Sequence, residues 1–522
     1  WPRVLNAFHV VTDDGVIRRE LLFSPGEVYQ EVLGRETERV LRQLGSGTDI
    51  LAVARVVPVA SPAPGHVDVV VVTKDLWSLR LNASYSIVGA ALRYLRVRPS
   101  EQNFLGRNTQ LSLDLELDPA AFATGLIYAD RRFLRTPLTL SQNAAVIFNR
   151  ASGKAEGFRS GLSLGRLLYA LQDRWGYQLQ AAWNVQRARR FRGIEVVRLD
   201  YPNADAAEAQ VPFEYNSKVA SASAEVVRSF GYALKTDLNV NVGLYRLGYR
   251  PPVSLPEERR TWLIQNFLPR SESATYLGAS LTRYEARYVV LRNLDTFALS
   301  EDYRLGYSAV AALRYAPPLV YDNHFSEAGA SLRYRFYAAD DLFSVSSSAA
   351  LRWVPEASGV GRQGAWVNRR VALELLNYSP PVGWGRFVSR ALLDLRFDDL
   401  DNPLNFLGAV SGLRGVPDAA LSGPHLALLN LEYRTRPVVV ATLHAGLVFF
   451  WDAGSAFVRG PNFTHTVGLG LRALFPQLDV EPIRIDFGYV VRGDRPPLLD
   501  RFSSTFGQVN DIRPGFLNNP LE

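Results

Sequence analysis

From Leu76 nearly to the end of the chain, apolar and polar residues alternate. Trp77, Leu79, Leu81, Ala83, Tyr85 and Ile87 are interleaved with Ser78, Arg80, Asn82, Ser84 and Ser86. The same dyad recurs at Trp175, Tyr177, Leu179, Ala181, Trp183 and Val185, at Leu238, Val240, Val242 and Leu244, and at Ile483, Ile485, Phe487, Tyr489 and Val491. A period of two predicts strands with one aromatic and aliphatic face and one face of Arg, Asp, Asn, Gln and Ser. A soluble sandwich also alternates. Three features predict a transmembrane antiparallel β-barrel instead. The segments run about 10–14 residues, long enough for a tilted strand to cross a bilayer. Their apolar face is rich in Trp, Tyr and Leu. The pattern persists for more than 400 residues without a second core-forming helix. A closed barrel is also the only sheet that satisfies its backbone in lipid. Counting segments gives about 19 or 20 strands, with Ala91 to Arg98 the weakest of them.

Before residue 76 the period changes. Arg3 to Val11 reads as a strand and Val16 to Leu22 as a short helix. Pro25-Gly26 is a break. Leu33, Thr37, Val40, Leu41 and Leu44 then share one helical face, and Gly45 stands where a C-terminal cap belongs. Two strands follow, Leu51 to Val59 and His66 to Thr73, around the turn residues Ser61-Pro62-Ala63-Pro64-Gly65. The order β-α-α-β-β over residues 1–75 is enough for a small α+β core. The domain expectation is therefore 1–75 as a front domain and 76–522 as the barrel.

Composition narrows the function. The chain has 522 residues, with 58 basic against 51 acidic side chains, a net charge of +7 and no block of like charge. That argues against nucleic acid as a partner. No run of about 18 apolar residues exists, so no transmembrane helix is expected. Cysteine is absent, which excludes disulfides, thiolate metal sites and cysteine catalysis. Methionine is absent too, even at the first position, and the expectation is a processed chain whose signal segment precedes Trp1. Only Lys74, Lys154, Lys218 and Lys235 are lysines, so nearly all positive charge is arginine.

The most specific chemistry lies between Asp398 and Gly454. A loop of about 25 residues carries Gly412-Leu413-Arg414-Gly415-Val416, and long glycine-bearing loops in compact folds are usually functional. The next strand turns Asn430, Glu432 and Arg434 inward. After it, Leu447, Phe449 and Trp451 point to lipid, which leaves Phe450, Asp452 and Gly454 in the lumen. An inward guanidinium needs a carboxylate. Arg414 paired with Asp452 and stacked near Phe450 is the expected arrangement, with the loop around 397–423 folded into the lumen.

Leu413-Arg414-Gly415-Val416 resembles the (V/I)-R-G-(F/Y) signature of the BamA/TamA-type outer-membrane assembly and translocation superfamily, bacterial surface antigen type. Phe450-Trp451-Asp452-Ala453-Gly454 matches its F-x-D-x-G motif in full. The front domain is similar to that superfamily's periplasmic POTRA module, and Asn103-Phe104-Leu105-Gly106-Arg107 looks like its N-(F/W)-L-G turn early in the barrel. Five strands follow the Arg414 loop, as the pattern requires. Val416 departs from the usual aromatic, and the last strand, around Ser503 to Val509, is followed by Asp511 to Glu522 instead of ending on an aromatic. The resemblance implies sixteen strands, no cofactor and no enzymatic activity. It implies an outer membrane of a Gram-negative-type envelope with the front domain in the periplasm. Implied partners are unfolded outer-membrane or secreted client proteins, outer-membrane lipids, and periplasmic or lipoprotein partners. A client would meet the seam of first and last strands, at Trp77, Leu79, Leu81, Phe502 and Phe506.

Two other readings compete. One is a passive outer-membrane pore or transporter. The other is a membrane-embedded serine hydrolase, because Gly161-Leu162-Ser163-Leu164-Gly165 fits G-x-S-x-G. That motif needs a strand, a sharp turn and a helix, whereas Ser163 sits in an alternating run. The six histidines, His9, His66, His324, His425, His444 and His465, are scattered without metal-ligand spacing. The remaining lumen arginines are expected to form a hydrated lattice with inward Asp and Glu, with anion selectivity or lipid-phosphate contact as the lesser alternative.

Overall fold

Residues 10–42, 50–75, 78–168, 173–202, 210–295, 300–355, 365–402, 404–475, 482–508 and 521 are described by the structure, a computed structural model. Of the expected strand from Arg3 to Val11 all but Val10 and Val11 lie outside them, and those two are not in a strand. The cap at Leu44 and Gly45, the seam residue Trp77, and the tail from Val509 to Pro520 with Glu522 lie outside them too.

The front domain contains helix α1 (Asp14–Arg19), helix α2 (Glu31–Arg42) and an antiparallel pair, β1 (Leu51–Ala60) and β2 (Val67–Asp75). Asp13 caps α1 by accepting a hydrogen bond from the Gly15 amide. Leu41, Ile50, Leu51 and Ala54 form its core, with Ile17, Leu21 and Val71 packed against them. The predicted helical face is seen at Val40, Leu41 and Thr37, all buried.

Twenty strands then close an antiparallel barrel. The first seven are β3 (Leu79–Val88), β4 (Ala91–Glu101), β5 (Thr109–Leu117), β6 (Ala121–Asp130), β7 (Thr139–Asn149), β8 (Ala155–Arg166) and β9 (Trp175–Arg189). Next come β10 (Glu214–Phe230), β11 (Leu234–Arg250), β12 (Glu272–Glu285, resumed at Arg287–Arg292), β13 (Ser300–Ala316), β14 (Phe325–Ala338) and β15 (Asp341–Val354). The last seven are β16 (Ala365–Val382), β17 (Gly385–Phe397), β18 (His425–Thr435, resumed at Val438–Val440), β19 (Leu443–Phe457), β20 (Thr464–Leu474), β21 (Ile483–Arg492) and β22 (Phe502–Phe506). The count corrects the sixteen that the resemblance implies. Every segment whose alternation is long enough to cross is paired on both sides, so none is a mere hairpin extension of a smaller wall. The weak candidate at Ala91 is a full strand.

Side-chain direction follows the alternation. Trp175, Leu179, Trp183, Val240, Leu277, Leu313, Phe449 and Leu469 lie on the outer face, each more than half exposed. Large apolar groups in that position are stable only against lipid. The inner face carries the expected charge lattice. Arg96, Arg98 and Arg159 surround Asp114, Arg352 bridges Glu272 and Glu327, and Arg370 and Arg396 meet Asp394.

The front domain docks on the first two turns at its own end of the barrel. Asp13 donates its amide to the Gly106 carbonyl at 2.9 Å, and the buried Asn103 side chain donates to Thr12 Oγ1 at 2.9 Å. Gly106 has φ +73, and a Cβ there would stand 2.6 Å from the Val11 carbonyl. No other residue fits. The second turn reaches α1 through Arg132, which grips Glu20 with two hydrogen bonds of 2.6 and 2.7 Å.

The two faces of β9 offer a direct test. Leu179→Arg places a charge on the lipid side and should cost about 2–4 kcal/mol, whereas Gln180→Arg on the exposed lumen side should change stability by no more than about 0.5 kcal/mol. Denaturant titration of the vesicle-inserted protein measures both. Equal costs would mean that the faces have been assigned wrongly.

Candidate functional site

Between β17 and β18 the chain leaves the wall at Asp398 and returns at Pro424, folding inward between. A short ribbon, Asn405–Leu407 with Leu421–Gly423, stiffens its stem. Leu407, Leu413 and Val416 form a dry cluster with Leu426, Leu428 and Val490 on the wall. Val416, which replaces the aromatic of the motif, is therefore a core residue of the docked loop. The cluster carries Arg414 to the wall, where its exposure is 0%.

Arg414 meets a fully assembled set of partners. Its Nε donates to Asp452 Oδ2 at 2.8 Å and its Nη2 to Asp452 Oδ1 at 2.6 Å, a bidentate fork. The Arg414 amide adds a third bond to Asp452 Oδ2 at 3.1 Å, and Asn430 Nδ2 donates to Oδ1 at 2.7 Å. A carboxylate has about four acceptor positions, and Asp452 fills them with these four donors. Arg414 Nη1 reaches Glu432 Oε1 at 2.6 Å, and its Cζ lies 3.7 Å from the centre of the Phe450 ring. Glu432 also accepts from Arg434 Nε at 2.8 Å. Two cations and two anions thus balance within one buried group.

Glycines make room for this approach. Gly415 has φ +85, and its Cα lies so close to Gly488 that a Cβ on Gly488 would stand 2.6 Å from it. Gly468 clears the Phe450 ring, which a Cβ would meet at 2.4 Å. Gly454 lies beneath Leu407 and Leu413, at distances a Cβ would reduce to 3.2 Å. The loop backbone lies against a wall with its side chains removed. Gly454 was expected from the motif; the floor made by Gly468 and Gly488 was not, because only strand register brings them beneath the loop.

The sequence reading paired Arg414 with Asp452 alone. Glu432 and Asn430 were recognised as inward but not as partners, although their period-two spacing on β18 was visible. The network also extends further than expected. Arg434 Nη1 donates to the Leu294 carbonyl at 3.0 Å, so a turn from the opposite end of the barrel is tied to the same group. Beside it, the buried Arg472 pairs with Asp486 at 2.7 Å and donates to Gln508 at 3.0 Å.

At the outer rim the loop is held again. Asn402 donates to the Leu268 carbonyl at 3.1 Å, just after a helix, α3 (Glu257–Asn266), packed in an outer apolar cluster of Val211, Leu263 and Leu268. Arg190 stacks on Phe406 at 3.5 Å, and Asp418 pairs with Arg93 at 3.1 Å. Burial pushes the Asp399 and Asp401 carboxyls above the usual range, Asp401 further by facing Asp399.

The seam residues lie elsewhere. β3 meets β22 through Ser86, Ile87 and Val88, paired with Thr505, Ser504 and Ser503. Tyr85 adds a side-chain bond to Ser504 at 2.7 Å and an edge-on contact with Phe506 at 4.9 Å. Leu79 and Leu81 are exposed below this short ladder, and Phe502 faces Phe487. The last strand ends at Phe506, earlier than the expected Val509.

Ser163 is excluded from an elbow. It lies within β8, opposite Ser141 and Gln180, and its Oγ accepts from Gln178 at 2.6 Å. Among the described residues no His, Asp and Glu cluster could hold a metal ion.

Substitutions should expose the asymmetry of the buried group. Arg414→Ala leaves the buried Asp452 without a counter-ion, with Asn430 and the residue-414 amide as its remaining donors, and should cost about 3–5 kcal/mol. Asp452→Asn leaves Arg414 its Glu432 partner and should cost less. Arg414→Ala combined with Asp452→Asn should fall well short of the sum. Urea titration and protease sensitivity of the 398–424 loop read all three, and additive losses would rule out coupling.

No family model and no curated protein matches the chain. Among solved structures it is similar to BamA from Haemophilus ducreyi lacking POTRA domains 1–3, at 13% identity and TM-score 0.43, covering 95% of this chain and 82% of that one. It is similar to CdiB from Escherichia coli at 10% identity and TM-score 0.45, covering 95% and 74%. It is also similar to the copper transporter OprC, at 10% identity and TM-score 0.39, covering 86% and 84%.

Proposed function

We propose that this outer-membrane barrel assists the insertion or translocation of other proteins, receiving them through the front domain, read as a POTRA module, and the seam between β3 and β22. The observation that carries the reading is the seam itself. Its ladder has three residue pairs among the described residues, whereas β3 and β4 share ten. A barrel in lipid must satisfy every backbone group. Of the pairings between neighbouring barrel strands among the described residues this one is the shortest. Such a closure is the least costly place to exchange a neighbouring strand for an incoming one, whose backbone would add by β-augmentation. The docked front domain supports the same route, because it sits on the turns after β4 and β6, a few strands from the seam and at the end of β3 opposite its three described pairs. The Arg414 loop supports it differently. It lies inside the barrel, tied to Asp452 on one side and to Arg93 and Arg190 on others, which favours a path through the wall over a passive open channel.

The chain has no cysteine, so a staple across the seam is clean. Ile87 and Ser504 are direct partners. With Ile87→Cys and Ser504→Cys, the oxidised protein should lose insertion or export of clients, and reduction should restore it. Equal activity in both redox states would remove the seam from the mechanism. Large steady conductance in planar bilayers, unaffected by the staple and without effect of depletion on other barrels, would establish the pore reading in its place.

A further inference from the structure

At the front-domain end of the lumen a cavity of 220 Å³ is lined by Arg386, Arg434 and Arg436 together with Asn293, Pro381 and Gln508, and no carboxylate among the described residues faces it. We propose that this cavity is a binding site for a single oxyanion, a carboxylate or a phosphate group.

Strand register creates the need for one. Arg386 on β17 is the direct cross-strand partner of Arg434 on β18. Like charges directly opposite one another destabilise a sheet unless something neutralises them. Arg434 has its neutraliser, Glu432, whose other oxygen is already held by Arg414. Arg386 has none: among the described residues it makes no side-chain hydrogen bond and no ion pair. Its electrostatic neighbours are Asp340, Tyr337 and Tyr378 on one side and Arg434 on the other. Asp340 lies beyond ion-pair range of it and accepts from the Tyr337 hydroxyl. Arg436 stands at the rim, where its amide donates to the Trp384 carbonyl at 2.8 Å and holds the turn in place.

The geometry suits an oxyanion better than a neutral guest. Half-buried Arg386 supplies unused guanidinium donors, and a planar fork matches a carboxylate or phosphate. Neutral donors and acceptors come from the side chains of Asn293 and Gln508, while Pro381 and Leu294 shape an apolar wall. The volume admits a small anion or the charged end of a larger molecule. An occupant would also touch two parts of the barrel at once. Through Arg434 it would adjoin the Glu432–Arg414 group, and through Gln508 the strand end that follows β22.

Equilibrium dialysis of the full chain in neutral detergent tests the site without any client, so the result stands apart from the proposed function. Inorganic phosphate is one probe; a short peptide with a free C-terminal carboxylate, compared with its C-terminal amide, is the other. Saturable binding of at least one is expected. Arg386→Gln should weaken it by about tenfold or more, the factor carried by one charge-assisted hydrogen bond, and Arg386→Lys should retain part of it. Arg436→Gln should weaken it less. Heat-modifiable mobility confirms that each variant is folded. Phosphate bound alone identifies a free or lipid phosphate as the source, and carboxylate preferred over amide identifies a peptide end. Absence of saturable binding of both probes, or binding unchanged in a folded Arg386→Gln protein, would overturn the proposal.

Discussion

A guanidinium held entirely out of water is the constraint around which the late part of this barrel is arranged. Desolvating such an ion costs several kcal/mol, and the cost is offset only by good geometry and complete hydrogen bonding. Arg414 meets that condition with a bidentate carboxylate, a second carboxylate and an aromatic face. Each partner imposes its own demand. Asp452 must have its remaining acceptor positions filled, Glu432 must be shared with Arg434, and the loop backbone must come close enough for its amide to reach Asp452. The glycines on β20 and β21 follow from that last demand, as does the apolar cluster that seals the loop.

Much of this was legible in the sequence because membrane barrels enforce a strict period. Alternation alone placed Phe450, Asp452, Asn430 and Glu432 on the inner face and Leu447 and Phe449 on the outer one. It also showed Arg414 as a charge in a loop flanked by glycines. The strand total was legible by counting, and analogy with the superfamily led it astray. What could not be read is anything set by register between strands distant in sequence. Gly488 beneath Gly415, Arg386 opposite Arg434, and Leu294 arriving from a turn at the far side of the lumen all depend on how twenty strands are staggered. No local pattern carries that information.

The lumen is also divided. Around β5, β9 and β15 the arginines form separate ion pairs with Asp114, Glu156, Glu214 and Glu327, each keeping a small exposure to the lumen. At β18 and β19 the group of Arg414, Arg434, Asp452 and Glu432 is buried and balanced in charge. The outer loops add to the buried group's side of the barrel, since Asn402 bonds the Leu268 carbonyl just after α3 and Phe406 stacks under Arg190.

The two turns that receive the front domain share a further property. Each contains a Phe-Leu step, Phe104-Leu105 and Phe133-Leu134, with the leucine in the left-handed region at φ +57 and +54. Both turns belong to the opening strands, so the domain is fastened under one sector of the rim instead of being centred on the lumen axis. The barrel therefore has a front and a back. The attachment lies within a few strands of the closure between β3 and β22, and the heavily bonded wall from β17 to β21 stands on the other side of that closure. A cylinder of nearly uniform strands acquires its direction from where a single small domain is attached.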